Sequence, residues 1–140
     1  MNHFKYNDLF VGQKEEFIAE ITQEKMEKFY ELTGDDNPLH RSGKFAKQHG
    51  YKDRVVYGML TSSFLSTFAG VYLPGEFCLI QSVESKFTKP VYIGDRLTIS
   101  GVISELHDSV QQAVIKVKIA NQNQELVCKA KIKVGVLDGK

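Results

Sequence analysis

Cysteine is scarce in this chain: its 140 residues hold only Cys78 and Cys128, far apart in sequence. The two could pair in principle, but the expected compartment is the cytoplasm, where two reduced, buried thiols are the natural state. A surplus of one charge is also missing. The formal net charge is +1, and Lys and Arg alternate with Asp and Glu throughout, so no nucleic-acid partner is expected. No stretch of 18 apolar residues is present, so no membrane span is expected. The segment Met1-Asn2-His3-Phe4-Lys5 lacks the apolar core of a signal peptide. His3, His40, His49 and His107 form no H-x-x-x-H pattern, and no C-x-x-C occurs, so no metal site is expected. No phosphate-cradling glycine loop follows a strand, and no G-x-S-x-G elbow exists. Dinucleotide, nucleotide and serine-hydrolase chemistry lose their usual support, and no cofactor is expected.

What is present is an ordinary globular balance, 42% apolar and 25% charged, in a length that fits one domain over residues 1–140. Such a domain can bury a core without metal or disulfide. Helical signals dominate before Pro74-Gly75 and strand signals after it. Residues 13–21 form the exception, alternating through Phe17, Ala19 and Ile21 as a first strand. Thr22 can cap a helix bearing Met26, Phe29, Tyr30 and Thr33, with Gly34 as its stop. A loop holding Asn37-Pro38 follows, because proline disfavours the helical conformation at Asn37. Ser42 can cap a short helix with Phe45 and Ala46, closed by Gly50.

The segment from Tyr57 to Tyr72 is expected to be a helix buried on all sides. It is apolar around most of its circumference, and no position from Tyr57 to Leu73 is charged. Four strands are expected after it. One runs loosely through Leu79, Val83 and Phe87, a second through Leu97, Ile99, Gly101 and Ile103, and a third through Ile115, Val117 and Ile119. The last sets Leu126, Cys128, Ala130, Ile132 and Val134 against Lys129, Lys131 and Lys133. Period-two alternation with a polar outer face indicates an antiparallel sheet with one face in water. A buried helix with such a sheet gives an α+β fold in which the sheet curls around the helix, the hot-dog arrangement. One sheet cannot cover every side of a helix, so a homodimer with paired sheets is expected.

Chemistry concentrates in Gly34-Asp35-Asp36-Asn37-Pro38-Leu39-His40. A turn at Asn37-Pro38 can bring the Asp35 carboxylate and the His40 imidazole to one water, where the two can shuttle a proton. Spacing alone favours a plainer role, in which Asp35 and Asp36 merely bond backbone N–H groups at a helix end. Gly58, Ser62 and Ser66 share one helical face, with Gly58 at the N-terminus where N–H groups are unpaired. Such an N–H can serve as an oxyanion donor. The same spacing also fits a seam of small residues whose hydroxyls bond the carbonyls four positions back.

Gly34 to His40, followed by Val55-Val56-Tyr57-Gly58-Met59-Leu60, resembles the MaoC-like, (R)-specific enoyl-CoA hydratase family. Phe87-Thr88-Lys89-Pro90-Val91-Tyr92-Ile93-Gly94-Asp95 resembles a later strand and turn of that family, and the likeness runs from about Gln13 to Val134. The resemblance implies a hot-dog lyase that interconverts a trans-2-enoyl and an (R)-3-hydroxyacyl thioester, carried on coenzyme A or acyl carrier protein. It implies Asp35 and His40 as holders of the catalytic water, with Asp35 as base, and the Gly58 N–H as carbonyl donor. It implies support by hydrogen bonding from Ser66, whose helical face Ser62 shares, and positioning of the loop and of His40 by Asn37. Position 57 is tyrosine where the family very often has histidine, and Asp36 adds a second carboxylate beside the proposed base. Tyr57 borders the expected thioester site. Acyl chain length is expected to depend on which of Phe64, Phe68, Tyr72 and Phe77 enter the pocket, with a short or medium chain favoured. Two other readings stand beside this one. A hot-dog thioesterase is disfavoured because the central helix carries no Asp or Glu, and release of free thiol would reveal it. A non-catalytic acyl-thioester binding module would bind CoA esters without turnover.

Overall fold

A computed structural model describes residues 1–137 and places five strands in one antiparallel sheet. The strands are β1 Lys14–Glu20, β2 Cys78–Phe87, β3 Arg96–His107, β4 Gln112–Ala120 and β5 Leu126–Val136, and their order in the sheet is β1-β3-β4-β5-β2. Four helices lie between β1 and β2: α1 Gln23–Thr33, α2 Pro38–Arg41, α3 Gly43–Gln48 and α4 Gly58–Thr67, the last continuing as a π-helical turn over Phe68–Tyr72.

Register explains the core. Ile103 lies opposite Ile115, Ile115 opposite Ile132, and Ile132 opposite Val83. Another inward row runs Phe17, Ile99, Ile119, Cys128 and Phe87, and Gly101, Val117, Ala130 and Ser85 lie between the two. Successive strand residues point to opposite faces, so these rows make one apolar surface. Its outer counterpart carries Lys118 opposite Lys129, and Lys129 opposite Lys86. The inner surface packs on α4 and its π-helical turn through Leu65, Phe68 and Ala69. Gly101 permits the approach: a Cβ there would stand 2.5 Å from the Phe68 ring and 3.1 Å from Val117. This is the hot-dog arrangement the alternation patterns anticipate.

Local signals act where expected. The Thr22 hydroxyl accepts the Lys25 N–H at the start of α1, and Ser42 accepts the Phe45 N–H at the start of α3. Gly34 takes the left-handed conformation at φ 71° and ends α1. The segment around Asn37-Pro38 is not all loop, because Pro38 opens the one-turn helix α2. Proline suits a first helical position, and the Asn37 side chain caps that helix by accepting the Leu39 N–H.

The expectation of a helix buried on all sides is corrected. Met59 is 66% exposed, and Ser63, Ser66 and Thr67 face outward, because a single sheet covers only one side of α4. The expected one-sided alternation of β2 also fails. Leu79, Ile80, Val83 and Phe87 are all exposed, since β2 is the sheet's edge and no helix covers its inner face fully. Cys78 and Cys128 are free thiols. Burial raises both, pushing Cys78 up to about 11. Among the described residues no helix is long and apolar enough to cross a membrane, and no group of three or more His, Cys, Asp or Glu side chains could hold a metal.

Candidate active site

The site begins where α1 stops. The Gly34 N–H bonds the Tyr30 carbonyl at 2.7 Å, and the left-handed glycine turns the chain sharply. Two side chains then fold back on the backbone. Asp35 Oδ1 accepts the Asn37 N–H at 3.1 Å, and Asn37 Oδ1 accepts the Leu39 N–H at 2.9 Å. Asp and Asn make such short loops because their oxygens reach the N–H two residues on. The plainer role weighed for Asp35 is thus present in the structure. It occupies one carboxylate oxygen, and among the described residues the other has no hydrogen-bond partner.

One turn further on, α2 carries His40 inward. Its Nδ1 lies 2.7 Å from the Val55 carbonyl oxygen. A carbonyl can only accept, so Nδ1 carries the proton and donates. In the neutral ring Nε2 then keeps its lone pair. The Leu39 carbonyl accepts the Val55 N–H at 3.0 Å, and the His40 carbonyl accepts Arg54 Nε at 2.8 Å, pinning α2 to the strand-like segment before α4. Arg41 pairs with Glu27 at 3.0 Å and lies over the Tyr30 ring at 3.9 Å. Asp36 turns toward this guanidinium, 3.8 Å from Arg41 Nε. The extra carboxylate beside Asp35 therefore faces a cation.

Tyr57 joins the two halves of the site. It is 1% exposed, and its hydroxyl donates to the Asp35 carbonyl oxygen at 2.8 Å. Its ring packs against His40 with centroids 4.3 Å apart and against Phe29 at 4.8 Å. Burial raises its phenol above the ordinary tyrosine range, keeping it a neutral donor. The Tyr57 carbonyl also accepts the Leu60 and Thr61 N–H groups at the start of α4. No side chain caps this helix, so among the described residues the Gly58 and Met59 N–H groups have no partner. Unpaired N–H groups and the helix dipole make this end receptive to negative charge.

These groups border one cavity of about 700 Å³, within the usual range for a small-molecule site. Six of the seven anticipated residues line it: Asp35, His40, Tyr57, Gly58, Ser62 and Ser66. Asn37 does not; it caps α2 and fixes the loop behind Asp35. Ser62 does not bond the carbonyl four residues back, but pairs with Ser85 of β2 at 3.0 Å. Ser66 presents an exposed hydroxyl to the cavity. Among the described residues, Asp35 is the only carboxylate along the wall.

The expected control of pocket depth is corrected. Phe64, Phe68, Tyr72 and Phe77 do not line the main cavity. Phe64, Phe68 and Tyr72 recur every four residues on a face of the central helix that turns away from Gly58, Ser62 and Ser66. Phe68 packs on Gly101, and Tyr72 stacks on Phe17 at 4.8 Å. The apolar walls come instead from Phe29, Met59, Leu65, Ile80, Val83 and Phe87. A second cavity of about 330 Å³ shares His40, Gly58 and Phe87 with the first and reaches Thr88 and Lys89. The buried, unpartnered Thr61 hydroxyl borders it. The residues sequence reasoning missed are Thr33, which accepts the Asp35 N–H, and the Val55 carbonyl. A backbone carbonyl has no sequence signature.

Known proteins resemble this chain in sequence and in fold. Residues 10–125 match the family described as MaoC like domain. Over 101 residues, 72% of this chain, 35% of positions are identical to a 3-hydroxybutyryl-CoA dehydratase of Methylorubrum extorquens. The match spans 64% of that protein, a little under two thirds of its length. Over 118 residues, 84% of this chain and 88% of the other, 30% are identical to an (R)-specific enoyl-CoA hydratase of Aeromonas caviae. The solved structure of the unliganded R-hydratase PhaJ1 of Pseudomonas aeruginosa superposes with a TM-score of 0.90 at 26% identity, covering 97% of this chain and 87% of that one. With the family match reaching across most of the sequence, the chain belongs to the MaoC-like domain family.

Proposed function

We propose that the protein is a hydratase/dehydratase that interconverts a trans-2-enoyl thioester and an (R)-3-hydroxyacyl thioester of coenzyme A or acyl carrier protein. The observation that carries this reading is one cavity bordered by a carboxylate, an imidazole with a free Nε2, and the uncapped N-terminus of α4. The hydratase and dehydratase relatives support it.

In the hydration direction, Asp35 and His40 hold a water over the double bond. Asp35 takes a proton from that water as its oxygen bonds C3. The electron pair of the double bond shifts toward the thioester oxygen, which gathers negative charge opposite the Gly58 N–H. The Asp35–His40 pair returns one proton to C2 on the same face, giving syn addition and restoring both groups. Dehydration runs these steps backwards. The chemistry needs a proton shuttle and a carbonyl donor, so no redox or metal cofactor enters it. Asn37 holds the loop, and Ser62 and Ser66 support the cavity wall.

The acyl group fills the apolar cavity beside Met59, Leu65, Ile80 and Val83. The second cavity, bordered by Thr88 and Lys89, gives the polar arm of the carrier a place beyond Gly58. A second copy of the chain pairs along the bare edge of β2 and covers the exposed apolar residues of α4 and β2. Two free thiols fit a cytoplasmic location.

The test is a chain-length panel of trans-2-enoyl-CoA esters. Loss of the conjugated enoyl absorbance with formation of the (R)-3-hydroxyacyl ester is expected. Release of free thiol without hydration would instead make the protein a thioesterase, and tight binding with no turnover at any length would make it a binding module.

A further inference from the structure

Three separate groups of one residue touch the three parts of the candidate site. The Tyr57 hydroxyl holds the Asp35 carbonyl at 2.8 Å. The Tyr57 ring lies against the His40 imidazole at 4.3 Å, tilted by 31°. The Tyr57 carbonyl accepts the Leu60 and Thr61 N–H groups that open α4, immediately before Gly58. The carboxylate comes from the loop before α2, the imidazole from α2 and the carbonyl donor from α4, and their mutual distances are not set by any one element. Tyr57 spans all three and is almost completely buried, so it has little freedom to move independently of them.

The loop needs such a tie. Asp35, Asp36 and Asn37 are exposed, and the internal bonds of the loop join only near neighbours in sequence. Among the described residues, the Tyr57 hydroxyl is the one side-chain donor that fastens the Asp35 backbone to a distant element. His40 is fixed within its ring plane by the Val55 carbonyl, and the Tyr57 ring supports its face. A tyrosine does both jobs because its ring supplies the platform while its oxygen reaches beyond it.

We propose that Tyr57 is a positioning residue that fixes the Asp35–His40 pair relative to the Gly58 N–H. It does not contact the reacting atoms; it acts through Asp35 and His40. The proposal rests on the hydratase/dehydratase reading and deepens it. A displacement of about 1 Å can cost on the order of 100-fold in rate, so loss of the tie is expected to lower turnover far more than substrate binding.

The decisive variant is Tyr57→Phe, which keeps the ring and removes only the oxygen. In the folded protein, kcat on a short enoyl-CoA is expected to fall by about 10- to 100-fold while KM stays within about twofold. Amide hydrogen exchange at Asp35, Asp36 and Asn37 is expected to speed up. The His40 imidazole resonances should stay near their parent positions, because the platform remains. Tyr57→Leu removes the platform too and is expected to shift or broaden those resonances. A merely structural role would lower the melting temperature and leave kcat of the folded protein unchanged. Parent-like kcat in folded Tyr57→Phe overturns the proposal, as does a raised KM at unchanged kcat, which would make Tyr57 a substrate contact. The parent protein and Asp35→Asn separate the two layers. If the parent hydrates no enoyl-CoA, the hydratase reading itself fails; if the parent is active, Asp35→Asn is inactive and Tyr57→Phe is parent-like, only the role of Tyr57 fails.

Discussion

His40 Nδ1 donates to the Val55 carbonyl oxygen across 2.7 Å, and this one bond decides which ring nitrogen is available for chemistry. The neutral ring must present Nε2 as an acceptor. Asparagine at this position keeps a short N–H donor but has no counterpart of Nε2. We expect His40→Asn to fold and to lose about 100- to 10,000-fold in turnover, the usual span for a general acid–base group. His40→Ala also leaves the Val55 carbonyl unpaired and is expected to cost about 1 kcal/mol of stability in addition. Urea unfolding and enoyl-CoA kinetics on the two variants check both parts.

The Gly58 donor can be tested without altering a side chain that holds water. Gly58→Pro removes the N–H at the first helical position, where proline is well tolerated. Tyr57 before it has φ −53° and ψ 124°, the conformation a following proline prefers. The Phe87 ring, 3.4 Å from a Cβ at position 58, is exposed and free to yield. A fall in kcat of about 100- to 1,000-fold with an intact circular dichroism spectrum is expected from loss of one oxyanion donor. Parent-like kcat would remove Gly58 from the mechanism.

Much of this site is legible in the sequence because its signals are local. Thr22, Gly34, Asn37-Pro38 and Ser42 each act on backbone within three or four residues, and the structure places all of them at helix ends. The alternation in β3, β4 and β5 reports burial directly, because both faces of those strands see a fixed environment. What escapes is set by the approach of distant segments. An apolar α4 reads the same whether a sheet or a second copy covers it, so the exposure of Met59 could not be seen. The same holds for the Val55 carbonyl and the Tyr57 hydroxyl, whose partners lie 15 and 22 residues away.

Gly101 sets how closely α4 and its π-helical turn approach the sheet. Its missing side chain leaves room for the Phe68 ring, which would otherwise be 2.5 Å from a Cβ. Gly101→Ala is expected to destabilise the fold by about 1–3 kcal/mol, the usual cost of overpacking. Denaturant midpoints measure it, and an unchanged midpoint would mean that Phe68 repacks freely.

Alkaline stability should report on Tyr6. Burial comes first and its bond to Asp108 second in pushing this phenol up to about 12 from 10.0. A raised folded value means the contribution is fully present below pH 10, the unfolded value, and is lost as pH climbs toward about 12. The stability gap between the parent and Tyr6→Phe should therefore narrow over that interval. A gap that stays constant would show that Tyr6 keeps no extra hold on its proton.

In the proposed reaction the Asp35 carboxylate drives addition of water to an enoyl thioester. The most direct measurement is steady-state hydration of a short trans-2-enoyl-CoA by the parent and by Asp35→Asn, with folding checked by circular dichroism. Asparagine keeps the side-chain oxygen that accepts the Asn37 N–H, so the loop should persist. The expected result is clear turnover by the parent and a loss of at least about 100-fold in the variant. Equal turnover by both proteins would mean that the Asp35 carboxylate does not drive the addition.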